Sequence, residues 1–74
     1  VLSVYPNPAR ENIIVEGENI ASIQICNLLG GIVYEMQQCN GNNVISTDGM
    51  GAGSYFVRIR MEDGKIVTKK IIVM

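Results

Sequence analysis

Apolar residues recur along this chain at every second position or in short runs, and no window gives them the i, i+3, i+4, i+7 spacing of a helix face. The pattern predicts seven short strands, over residues 1–5, 12–16, 21–28, 32–38, 44–47, 54–61 and 65–74. Pro6 ends the first by removing a backbone donor, and Gly17 ends the second. In the third, Ile23 and Ile25 share one face with Gln24 opposed. Leu29, Gly30 and Gly31 predict a turn into the fourth strand, because paired glycines accept positive φ without steric cost. A polar stretch, Asn40-Gly41-Asn42-Asn43, leads to the fifth strand. The glycine-rich run from Asp48 to Gly53 is the type of segment that carries a chain from one sheet to another.

The sixth strand alternates most clearly, with Tyr55, Val57, Ile59 and Met61 on one face and Phe56, Arg58 and Arg60 on the other. Asp63-Gly64 signals a hairpin into the last strand. Short strands at roughly ten-residue spacing predict an all-β fold, a seven-stranded antiparallel two-sheet β-sandwich of the Ig-like, Greek-key kind. A small barrel is the alternative.

Length confines the fold to one domain, residues 1–74, and its β-branched Ile and Val supply a thin core rather than a deep substrate pocket. The chain starts at Val1 without a signal-peptide pattern and reads as a fragment of a longer protein. Six Lys plus Arg against seven Asp plus Glu leave a net charge of −1, without the basic stripe that binding nucleic acid requires. No apolar run approaches the ~18 residues that span a bilayer, so stable membrane insertion is not expected.

The chemistry is equally bounded. Histidine is absent, which removes Ser-His and Cys-His nucleophile pairs and the common zinc constellations. No CxxC, phosphate-binding loop, dinucleotide fingerprint or calcium loop occurs, so neither cofactor nor metal is expected. The scattered carboxylates, Glu11 to Asp63, have too little core around them to build a hydrolytic pair. Cys26 and Cys39 are the only cysteines. If the third and fourth strands pair about the turn, paired numbers sum to about 60 and Cys39 lies some 16 Å along the strand from Cys26. A disulfide needs Cα atoms within about 7 Å, so packed free thiols are expected.

Three features admit both a structural and a functional reading. Tyr5-Pro6-Asn7-Pro8-Ala9 is a rigid corner between strands or a stiff epitope that docks at little entropic cost. Gly53-Ser54-Tyr55 places a tyrosine over a glycine-rich corner, with its hydroxyl expected to bond to backbone. Lys69 and Lys70 protect an edge strand from aggregation, or mark a terminal strand available for recognition through Ile72 and Val73.

Together these pieces resemble the C-terminal sorting domains of the type IX secretion system of Bacteroidetes. Val4-Tyr5-Pro6-Asn7-Pro8-Ala9 is close to that family's "YPNP" opening. Ile23 through Gly30 is similar to its "I-x-N-L-L-G" hairpin, with Val33 where an apolar residue is usual. Met50 with Gly53-Ser54-Tyr55-Phe56-Val57-Arg58-Ile59 is similar to "L-x-x-G-x-Y-x-V-x-I", and Gly64 through Val73 to the closing "G-x…K-x-x-V" strand, Lys70 standing for the family lysine. Cys26 departs from a usual aromatic and Met74 from a frequent terminal basic residue.

The resemblance implies a non-catalytic secretion and sorting signal. A cargo protein enters the periplasm by a separate N-terminal signal, and its folded tail is recognised by an outer-membrane translocon and a β-barrel shuttle protein. A cell-surface cysteine sortase then cuts upstream of the domain, leaving the cargo at the cell surface or secreted. Pro6, Asn7, Pro8, Gly30, Gly53, Tyr55, Lys70, Ile72 and Val73 are the candidate recognition residues. The exposed strands leave room for an edge-strand dimer. The competing readings are an Ig-like carbohydrate- or matrix-binding module and a structural spacer.

Overall fold

Alternating burial along the chain writes out the fold in the computed structural model, which describes residues 2–5, 9–37 and 41–74. The seven strands are β1 (Ser3–Tyr5), β2 (Asn12–Gly17), β3 (Ile20–Cys26), β4 (Ile32–Gln37), β5 (Gly41–Ser46), β6 (Gly53–Met61) and β7 (Ile66–Val73). They form a three-stranded sheet, β1-β2-β5, and a four-stranded sheet, β4-β3-β6-β7, with every strand pair antiparallel. This is the predicted β-sandwich, with the fourth strand beside the third in the larger sheet.

The core lies between the sheets. Ile13, Val15 and Ile45 enter it from the smaller sheet, and Ile20, Ile23, Ile25, Tyr55, Val57, Ile59, Ile71 and Val73 from the larger. Most are β-branched, the shape that packs best on a pleated surface. Each buried Ile or Val contributes about 1.5–3 kcal/mol of transfer free energy.

The differences from the sequence expectation that matter most lie in β3, β5 and the β6–β7 hairpin. The third strand ends at Cys26 because Asn27 folds back on the turn, and a bulge between Ile25 and Cys26 shifts the β3–β4 register there. Ile25 faces Tyr34, within one residue of the expected pairing. The fifth strand starts at Gly41, so the polar stretch expected to be a connection is largely strand. There Asn43 faces Val15, and its side-chain amide donates to the Val15 carbonyl at 3.2 Å, which offsets poor strand propensity. The β6–β7 hairpin closes by a three-residue loop, since the Met61 N–H donates to the Lys65 carbonyl and the Gly64 N–H to the Met61 carbonyl.

Cys26 is buried and free; Cys39 lies outside the described residues. The run from Asp48 to Gly53 crosses between sheets, as its composition predicts.

Ile59 is fully buried at the centre of β6, between β3 and β7. Ile59→Ala is therefore expected to cost about 2–5 kcal/mol, against less than about 1 kcal/mol for Val44→Ala on the exposed face of β5. Urea titration of both variants checks this, and similar midpoints would contradict the assigned core.

Candidate recognition end of the sandwich

The last strand is held from both sides. On its inner side β7 pairs with β6, Val73 opposite Gly53 and Ile72 opposite Ser54. On its outer side Ala9 forms a parallel bridge to Val73. The Ala9 N–H donates to the Ile72 carbonyl at 2.7 Å, and the Met74 N–H donates to the Ala9 carbonyl at 2.8 Å. The Ala9 methyl lies at zero exposure in the core. The chain that leaves the smaller sheet at Tyr5 thus returns against the edge of the larger one, tying the two together. Pro6, Asn7 and Pro8, the expected corner, lie between these points and outside the described residues.

The β5–β6 connection folds over the same end. Thr47 donates its hydroxyl to the Arg10 carbonyl at 3.0 Å and its N–H to the Glu11 carbonyl at 2.9 Å. Tyr55, buried at the start of β6, donates its hydroxyl to the Gly51 carbonyl at 2.6 Å, the backbone bond expected of it. Gly53 adopts φ 146°, a conformation that side chains rarely accept, with open space where a Cβ would stand.

The β3–β4 turn completes this end, since Cys26, Phe56 and Lys70 form one row across β3, β6 and β7. Asn27 builds the turn. Its Oδ1 accepts the N–H of Leu29 at 3.0 Å and of Gly31 at 2.9 Å, and its backbone closes on Gly30 and Gly31. Gly30 takes φ 89°, which the tight closure requires. The fastened turn projects two leucines: Leu28 is 64% and Leu29 97% exposed. Ile32, Val33, Ile72 and Met74 are further exposed apolar side chains of this end.

The described candidates therefore converge, but they divide by role. Tyr55 and Val73 are buried and act through packing, and Gly30 and Gly53 act through backbone shape. Lys70 and Ile72 are exposed on the outer face of the larger sheet. Ala9, Asn27, Leu28 and Leu29 also shape this end; the sequence motifs include them, but they are not among the candidate recognition residues. An asparagine directly before Leu-Leu-Gly-Gly is an Asx-turn signal that marks the turn, though not the exposure of its leucines. Among the described residues no three His, Cys, Asp or Glu side chains converge to hold a metal ion.

Comparison with known proteins gives three findings. The chain matches the family described as secretion system C-terminal sorting domain over residues 3–74. It is 32% identical over 75 residues to ulvan lyase NLR42 of Nonlabens ulvanivorans, covering 97% of this chain and 14% of that protein. It superposes with a TM-score of 0.82 and 19% identity on a structure of PorZ, described as an essential bacterial surface component of the type-IX secretion system of Porphyromonas gingivalis. That match covers 99% of this chain and 11% of the PorZ chain, so both relatives are far longer. The likeness to PorZ is one of fold.

Tyr55→Phe removes the hydroxyl that fastens Gly51 while keeping the ring in the core. The expected cost is about 1 kcal/mol with an unchanged denaturant slope. Chemical unfolding measures it, and a variant as stable as the parent would show that this bond does not hold the connection.

Proposed function

Because the chain belongs to the family of secretion system C-terminal sorting domains, we propose that it is the address tag of a longer cargo protein, read at the end of the sandwich where its terminal strand is fastened. The family match along nearly the whole chain carries this reading. Domains of this family are sorting signals on type IX cargo, which is exported across the outer membrane to the cell surface or the medium. They are not catalytic; in the lyase relative such a tail is a small fraction of an enzyme.

In finer detail, the folded tag is bound in the periplasm by the translocon and the β-barrel shuttle. A cysteine sortase then separates it from its cargo by a cut upstream of the β-sandwich. The readable features are those that are both rigid and exposed: the Leu28–Leu29 turn, Lys70 and Ile72. A pre-ordered turn binds without the entropic cost of ordering a loop. Edge dimerisation, where it occurs, falls to β4, an edge with neither lysine nor proline, rather than to β7, whose end Ala9 covers.

The carbohydrate-module alternative finds less support. Tyr34 and Phe56 point to opposite faces of the larger sheet and Tyr55 is buried, so the described residues of that sheet offer no aromatic platform for a sugar ring.

Removing β7 would strip Ile71 and Val73 from the core and so test folding rather than recognition. The informative change is on the surface. With the full chain fused to a periplasm-directed reporter in a type IX host, surface delivery is expected for the parent and for Val44→Ser. It is expected to fall about tenfold or more for the Leu28→Ser/Leu29→Ser pair, with the fold intact by circular dichroism. No delivery by the parent would refute the sorting role, and full delivery by the leucine variant would refute this end as the part that is read.

A further inference from the structure

Of the chain's six cationic side chains, three, Arg58, Arg60 and Lys70, lie on the outer face of the four-stranded sheet. Buried Val57, Ile59 and Ile71 alternate with them and fix that orientation. Glu35 is the one carboxylate on the face, two strands from the arginines, and its Oε2 accepts the Gln24 side-chain N–H at 2.6 Å. The other acids lie elsewhere: Glu11, Glu16, Glu18 and Asp48 on the smaller sheet and its connections, and Glu62 and Asp63 in the β6–β7 loop. A protein of net charge −1 thus carries a locally positive face.

A shallow cleft of ~100 Å³ lies at its centre, lined by Ser22, Gln24, Arg58, Arg60 and Ile66. The register explains it: Gln24 faces Arg58, and Ser22 faces Arg60 across β3 and β6. Ser22 is buried, and its Oγ accepts a long contact from Arg60 Nε at 3.4 Å, leaving the hydroxyl proton to donate into the cleft. Among the described residues no carboxylate pairs with either arginine. The cleft thus offers two guanidinium groups and a hydroxyl donor, a donor set for oxyanions.

We propose that this face docks an extended acidic segment of a partner polypeptide, with alternate carboxylates seated on Arg58 and Arg60. Spacing selects the occupant. Residues two apart on a strand are about 7 Å apart, and an extended peptide repeats its side chains at the same interval. Successive carboxylates on one side of such a peptide match successive arginines of β6, and exposed Ile66, opposite Arg60, borders the row with apolar surface. The lack of an aromatic platform argues for peptide over glycan. The site stands independently of the sorting role, because its test requires no secretion.

Binding of a short peptide alternating Glu and Ser to the isotope-labelled full chain, followed by NMR, tests it. The expected shifts fall on Ser22, Gln24, Arg58 and Arg60, and added salt weakens binding. A peptide of the same composition with its Glu residues in one block binds more weakly. Arg58→Glu/Arg60→Glu lowers affinity about tenfold, while Lys65→Glu/Arg10→Glu, an equal charge change away from the face, leaves it nearly unchanged. Equal losses in both double variants, equal binding of the two peptides, or tighter binding of chondroitin sulfate to the same residues would each overturn the proposal.

Discussion

Two backbone hydrogen bonds made by one residue hold the ends of this chain together. Ala9 donates to Ile72 and accepts from Met74, so a segment near the amino end covers the outer edge of the last strand. Without Ala9 the end of β7 would present unpaired backbone groups, which invite pairing with other chains. The β3–β4 turn and the β5–β6 connection lie at the same end of the sandwich. An end assembled from four distant stretches of sequence exists only when the whole sandwich has folded.

The two edges of the larger sheet are treated differently. Along β7, Lys69 is on the inward-facing row with Ile71 and Val73 yet remains exposed, and Lys70 stands on the outer face. An inward-pointing charge on an edge strand blocks addition of a further strand, because it would have to be buried. β4 carries Ile32, Val33, Tyr34 and Met36 with one acid and no comparable guard. The exposed leucines of the β3–β4 turn adjoin this unguarded edge. Four exposed apolar side chains, Leu28, Leu29, Ile32 and Val33, thus cluster at the β3–β4 corner, a hazard for solubility.

The strands were legible in the sequence because their signal is local: alternation at period two survives in β2, β3 and β6, where one face is buried and the other is not. β5 began earlier than expected because its pairing with β2 is a long-range contact that overrides the reluctance of Gly and Asn to extend. The motif resemblance picked out Gly30, Gly53, Tyr55 and Lys70, which the fold places at one end, but could not sort buried from exposed members. Val73 and Ile72 are neighbours with opposite fates, the first in the core and the second in solvent. Ala9 stood in the proline-corner motif, but its two backbone bonds to the last strand carried no local signal. The Arg58–Arg60 alternation was visible, but the serine beneath it comes from another strand.

Amide hydrogen exchange at Ala9 and Met74 tests the clamp most directly. Both amides are predicted to exchange slowly, near the rate set by opening of β7, even though Met74 lies beyond the end of that strand. Exchange at Met74 as fast as in an unstructured peptide, while the β6 amides stay protected, would show that the terminal strand is not fastened from its outer side.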